Sequence, residues 1–454
     1  MTFLGASMLS GISAQVSPLQ VDTLKETKIP DQWDLQSCID YAKEQNITIR
    51  KNRITAASTQ IDVKTAKAAL FPSLSFSTGQ QVVNRPYQET SSRVSGSEII
   101  SSNSKTSYNG NYGLNASWTL YNGNKRLKTI QQEKLNNQMA ELDVATSENN
   151  IQESITQVYI QILYAAESVK VNENTLQVSI AQRDRGQELL NAGSIAKSDL
   201  AQLEAQVSTD RYQLVTAQAT LEDYKLQLKQ LLELDGENEM NIYLPALSDE
   251  NVLAPLPTKR DVYISALSLR PEIEASKLNV EASELGINIA KSSYFPTISL
   301  SAGIGTNHTS GSDFTFGEQV KNGWNNSIGL SISVPIFNNR QTKSAVQKAK
   351  LQYETSMLSL LDEQKALYKT IESLWLDANS AQQRYAAANE KLKSTQISYE
   401  LISEQFNLGM KNTVELLTEK NNLLQAQQEQ LQAKYMAILN TQLLKFYQGD
   451  QLAI

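Results

Sequence analysis

The sequence has one cysteine, Cys38, and one histidine, His308, so it offers neither an intrachain disulfide nor the convergent ligands of a metal site. Cys38 falls in the apolar spacing Leu35, Cys38, Ile39, Ala42 and reads as helix packing. His308 stands in a Gly/Ser/Thr-rich stretch without a nucleophile beside it and reads as an ordinary loop residue. No nucleotide loop or nucleophile-base set is present, which argues against an enzyme and leaves no cofactor to expect. No run of eighteen apolar residues occurs, which excludes a helical membrane span but not strands that alternate apolar and polar. A net charge of -7 and a pI near 5.2 exclude nucleic acid as a partner, because no basic stripe could neutralise phosphates.

Proline and glycine are scarce in an informative way. No proline lies between Pro86 and Pro245 or after Pro335, and 124–185 contains neither residue. Residues 330–408 repeat that pattern with Pro335 as the one breaker. Uninterrupted segments of about 65 residues, at roughly 1.5 Å each, predict rods of about 100 Å. Their apolar residues recur every three or four positions, as in Ile151, Ile155, Val158, Ile162, Ala165, Val169. A second seam runs Leu200, Leu203, Val207, Asp210, Leu214, Ala217, Leu221, Tyr224, Leu228, Leu231, interrupted at Asp210. This is coiled-coil packing, and Asn191-Ala192-Gly193 and Asn407-Leu408-Gly409 are suited to turning antiparallel hairpins.

The chain reads as a tandem duplication. Phe71-Pro72-Ser73-Leu74-Ser75-Phe76-Ser77 recurs in the second half as Phe295-Pro296-Thr297-Ile298-Ser299-Leu300-Ser301. Leu120-Tyr121-Asn122 recurs as Ile336-Phe337-Asn338, and the turn at Gly193 as that at Gly409, in the same order and at nearly the same offset. Residues 1–14 read as the remainder of a secretory signal cleaved after Ala14, without the usual positive start. The first repeat is then 15–245 and the second 246–454, parted by Pro245, Pro255 and Pro257. Each half predicts a helix, two strands and a long helical hairpin, with strands at about 73–83, 110–121, 297–306 and 324–337 and tips near 191–199 and 407–415.

The strands alternate. Tyr112, Leu114, Ala116, Trp118 and Leu120 stand against Asn111, Gly113, Asn115, Ser117 and Thr119, and Ile298, Leu300, Ala302 and Ile304 against serine and glycine. Ile328, Leu330 and Ile332 continue the pattern. Strands of about 10 residues with aromatics near their ends, joined by Gly/Ser/Asn-rich segments at 78–108 and 306–323, match outer-membrane strands whose apolar side meets lipid. A soluble sandwich would show similar alternation. Four strands leave unpaired edges that lipid cannot satisfy, so they must be shared between subunits. A dimer closes eight strands around a largely filled interior, whereas a trimer closes twelve around a lumen.

With the Phe-Pro strand openings, the Leu120-Tyr121-Asn122-Gly123 and Ile336-Phe337-Asn338-Asn339 exits and the tips 192–199 and 408–415, the sequence resembles the TolC family of outer-membrane efflux proteins over 31–448. The resemblance implies a mainly α, trimeric channel-tunnel with a twelve-stranded barrel, located in the outer membrane of a Gram-negative bacterium and extending into the periplasm. It also implies partners: a periplasmic adaptor and an inner-membrane pump of RND or ABC type. Gly193, Asp199, Gly409, Lys411 and Glu415 become the tip and gate candidates. The family places two acids after its second tip; Glu415 takes the first position, and Thr418 falls at the second, beside Glu419. The alternative of a periplasmic coiled-coil adaptor lacks the lipoyl-like and β-barrel segments adaptors need.

Overall fold

The computed structural model describes residues 30–87, 91–95, 98–102, 105–235, 240–245, 252–312 and 314–452. The expected signal remainder at 1–14 lies outside the described residues, as does part of the proposed inter-repeat boundary.

Two short helices open the described chain, α1 (Leu35–Gln45) and α2 (Ile47–Ala68). The Asn46 side chain caps α2 by accepting from the amides of Thr48 and Ile49. Strand β1 (Ser73–Asn84) leads through a small hairpin, β2 (Ser91–Ser95) and β3 (Glu98–Ser102), into β4 (Thr106–Asn122). Helix α3 (Lys125–Asn191) then runs for 67 residues and returns as α4 (Lys197–Leu231). The second half follows the same plan: α5 (Lys259–Leu269), α6 (Pro271–Ser292), β5 (Thr297–Thr309), α7 (Phe316–Asn322), β6 (Asn325–Ser333), the 67-residue α8 (Gln341–Asn407) and α9 (Thr413–Gln448).

At 1.5 Å per residue, α3 and α8 each span about 100 Å, with strands at one end and hairpin turns at the other. The corner from strand to rod uses two successive left-handed residues in each half, Gly123 and Asn124 in the first and Asn339 and Arg340 in the second. A Cβ on Gly123 would meet the Ser292 carbonyl oxygen at 2.6 Å, so that corner needs glycine.

The four long strands form one antiparallel sheet in the order β1-β4-β5-β6. It extends past the sequence expectation at the loop ends, since β1 pairs with β4 as far as Asn84 with Thr106, and β4 with β5 as far as Asn109 with Thr309. His308 is therefore a strand residue rather than a loop one. The segments expected as plain loops hold the β2–β3 hairpin and α7. At the other end β6 stops at Ser333 instead of reaching 337, where Pro335 has no N–H to offer a ladder.

The main core sits partway along the rods, where α1, α3, α8, α9 and the extended segment near Ile242 meet. Trp33 forms a parallel bridge to Ile242, and the Tyr159 hydroxyl donates to the Tyr243 carbonyl at 2.6 Å. Cys38 is fully buried in this cluster, where desolvation pushes its thiol up to about 12, consistent with packing. Beside it Arg270, at the N-terminus of α6, pairs with Glu153 on α3 at 2.6 Å and lies over the Tyr447 ring of α9.

Candidate functional site

Register decides which strand residues share a face. Leu74 pairs with Ala116, Phe76 with Leu114, Ala116 with Ala302, Leu114 with Ile304 and Trp118 with Leu300. Leu300 continues to Leu330, Ile298 to Ile332 and Ala302 to Ile328. Directly opposed residues lie on one side of a sheet, so the apolar set, Tyr112 among it through its pairing with Thr306, forms one continuous face. Ile328, at 83% exposure, and Leu330 and Ile332, at 61% each, are largely uncovered by the described residues. The opposite face presents Ser75, Asn115, Ser301, Gly303, Ser327 and Ser331.

One assignment shifts in detail. A bulge between Thr119 and Tyr121 leaves Leu120 unpaired and sets Tyr121 opposite Ile298. Tyr121 thereby takes the place on the apolar face that simple alternation gives Leu120, and Leu120 is the extra residue.

The tips at the far end are built alike. Each long helix ends in a Schellman motif: the Gly193 amide donates to Leu190 O and the Ser194 amide to Leu189 O, and Gly409 and Met410 donate to Phe406 O and Gln405 O. Both glycines sit at φ +74°, the left-handed region the motif requires. The return helices begin with an acid that reaches back. The Asp199 carboxylate accepts from the Ala196 amide at 3.0 Å. Glu415 accepts from the Asn412 amide at 3.2 Å and from Lys411 Nζ at 2.6 Å, while the Asn412 side chain accepts from the Glu415 amide at 2.9 Å.

The Lys411 ammonium and the Asn412 amide hold the Glu415 carboxyl below its usual 4.5. With the folded value depressed, this cap contributes fully above the unfolded value and is lost as pH falls through the folded one, so it is intact at neutral pH. The two candidates for a second acid position behave differently from Glu415. The Thr418 hydroxyl donates to Val414 O at 2.8 Å, and Glu419 accepts from Ser398 on α8 at 3.0 Å.

Between tips and core lies a constellation that the sequence marked only as a broken seam. Asp210 on α4 receives the Lys420 ammonium of α9, and Ser179 of α3 contacts both. All three are buried, Asp210 at 1% and Lys420 at 3% exposure. Burial pushes the Lys420 ammonium below its usual 10.5, and the hydrogen bond and charge of the neighbouring Asp210 carboxylate oppose that shift. The pair fastens the α3–α4 hairpin to the α8–α9 hairpin. The signal was present on both sides, because Lys420 interrupts the apolar series Leu416, Leu423, Leu424 as Asp210 interrupts its own.

Among the described residues no helix is long and apolar enough to cross a membrane.

The family described as "Outer membrane efflux protein" matches residues 38–233 and 262–449. Outer membrane efflux protein BepC of Brucella suis is 23% identical over 65% of this chain and 62% of its own length. Outer membrane protein TolC of Escherichia coli is 24% identical over 62% of this chain and 58% of its own. The chain thus spans about three fifths of each of these two relatives. Among solved structures, CusC superimposes with a TM-score of 0.77 at 19% identity, covering 92% of both chains. VceC from Vibrio cholerae gives 0.74 at 16% identity, covering 92% of this chain and 97% of that one.

Proposed function

The chain belongs to the outer membrane efflux protein family, and from that premise we propose that it is the outer-membrane exit duct of a tripartite efflux or type I secretion system. The observation that carries this reading is the sheet: four strands with a continuous exposed apolar face, set at one end of rods about 100 Å long. That face requires lipid, and the edges of β1 and β6 require strands from neighbouring copies. Three copies close a barrel of twelve strands, and the same operation wraps three pairs of hairpins into a helical cylinder. The polar face of Ser, Gly and Asn then lines the lumen.

The duct works passively, without chemistry of its own. A wide lumen lined by small polar side chains selects little, so specificity falls to an inner-membrane pump of RND or ABC type, reached through a periplasmic adaptor. The halves 15–245 and 246–454 are products of tandem duplication in this reading, supported by two helices of equal length, 67 residues each, that begin at corresponding points after the strands, at Lys125 and Gln341.

The periplasmic mouth is the hairpin tips. Gly193 and Gly409 turn the chain, Asp199 and Glu415 follow at matching helix positions, and Lys411 neighbours Glu415. Around a threefold axis Glu415 occurs three times, and carboxylates in a ring attract cations. One Glu415 oxygen caps the helix and the other takes Lys411, and the side chain keeps 41% exposure, so the cap and a place in such a ring are compatible. In planar bilayers the protein is expected to give stepwise conductance, and Glu415→Gln to change unit conductance and weaken block by multivalent cations at unchanged trimer yield. A correctly assembled protein that never conducts would overturn the duct; unaltered conductance and block in the variant would remove Glu415 from the gate.

A further inference from the structure

The outer ends of β5 and β6 are polar, running Gly305, Thr306, Asn307 in one and Asn325, Asn326 in the other, so neither strand carries an aromatic where an interfacial girdle belongs. α7 lies at that level. The Thr306 hydroxyl donates to the Val320 carbonyl at 2.7 Å, the Thr309 amide donates to the Gln319 side-chain oxygen at 2.8 Å, and the His308 ring meets Phe316 edge-on at 5.0 Å. Thr306 and His308 follow Ile298, Leu300, Ala302 and Ile304 at every second position of β5, and His308 also stacks on Tyr112. The helix is therefore folded over the apolar face of the sheet and not over the polar one.

Its height fits as well. Trp118 pairs with Leu300 near the inner end, and Gly110 pairs with His308 towards the outer one. Those eight steps, at about 3.4 Å per residue and a tilt of about 40°, rise about 21 Å along the membrane normal, close to the ~25 Å apolar band of such barrels. At this level Phe314, Phe316 and Trp324 are 58%, 57% and 57% exposed. The segment is held firmly: Thr315 and Glu318 form a capping box, and the Gln319 side-chain Nε2 donates to the Phe314 carbonyl at 2.9 Å.

We infer that α7, with Phe314 before it and Trp324 after it, is a lipid-contacting collar that supplies the outer aromatic anchors missing from β5 and β6, its partner being the headgroup–acyl boundary of the outer leaflet. The inference rests on the membrane-duct reading. Lipid is favoured over a neighbouring subunit because neighbours join at β1 and β6, the sheet edges, whereas the contacts of α7 above are to β5, one strand inside.

The test uses the full-length trimer with Cys38→Ala, which removes the one native cysteine. Nitroxide labels are placed singly at Phe316→Cys, Phe314→Cys, Leu330→Cys and Ser331→Cys in phosphatidylcholine/phosphatidylglycerol vesicles. Collisions with oxygen, which concentrates in the bilayer, are compared with those of a nickel chelate, which stays in water. Oxygen is expected to dominate several-fold at 316, 314 and 330, and nickel at 331. Nickel dominating at 316 and 314 while 330 behaves as lipid-facing would overturn the collar alone. Protection of both collar sites from both reagents would place them against another subunit and overturn it too. A water-exposed 330 would instead overturn the membrane face itself. The Phe314 label decides the matter should the Phe316 variant not assemble.

Discussion

Lys420→Ala is expected to loosen the lower hairpins by about 3–5 kcal/mol, because it leaves the Asp210 carboxylate buried without its cation. The cost is dominated by the uncompensated charge and not by the pair's net attraction. Replacing both members by apolar residues of similar size, Asp210→Leu with Lys420→Met, is accordingly expected to recover most of the loss. Hydrogen exchange reads this locally: amide protection across 413–427 should fall by a factor of about 10²–10³ or more in the single variant, at roughly ten-fold per 1.4 kcal/mol, and return in the double. Unchanged protection in Lys420→Ala, or an equal loss in the double variant, would show that the pair does not fasten the two hairpins.

The second large effect is on the sheet. Leu330→Arg or Ile332→Arg places a charge on the apolar face and should cost roughly 2–4 kcal/mol near the membrane midplane. Ser331→Arg, between them on the polar face, should be tolerated, since its guanidinium would stand in the lumen. All three positions are exposed in β6, so side-chain packing within the chain does not separate them. The measurement is the yield of heat-resistant trimer in the outer membrane. Equal behaviour of the three variants would mean that the inside and outside of the barrel are misassigned.

Sequence alone exposed much of this architecture because its physics is periodic. The two long rods announce themselves by the lack of proline and glycine, and strands by a period of two, and both signals add over many residues. What was misread was local or depended on distant partners. The bulge at Leu120 shifts the phase by one residue, which alternation cannot reveal. The ends of β1, β4 and β5 lie among glycine, serine and asparagine, whose composition suggests loops although neighbouring strands hold them in the ladder. α7 is short enough to vanish in a polar segment, and its place over the apolar face depends on Thr306, at the expected end of its strand, and on His308, which composition suggests is a loop residue.

The tips illustrate a different limit. Gly193 and Gly409 were legible as turns because each must adopt positive φ, and the structure gives both φ +74°. The capping roles of Asp199 and Glu415 follow from their place three residues into each helix. Asp210 was visible only as an interruption, because its meaning lies 210 residues away at Lys420. A charged residue in an apolar seam asks for a partner; which one answers is a property of the fold.

As an exit duct, this chain supplies one third of a closed barrel. The mass of the assembly extracted from bacterial outer membranes in mild detergent, measured by native mass spectrometry, tests it directly. Three copies of the processed form of this 50.4 kDa chain are expected. A water-soluble monomer after export, or a dimer whose eight strands would leave no open lumen, would contradict it.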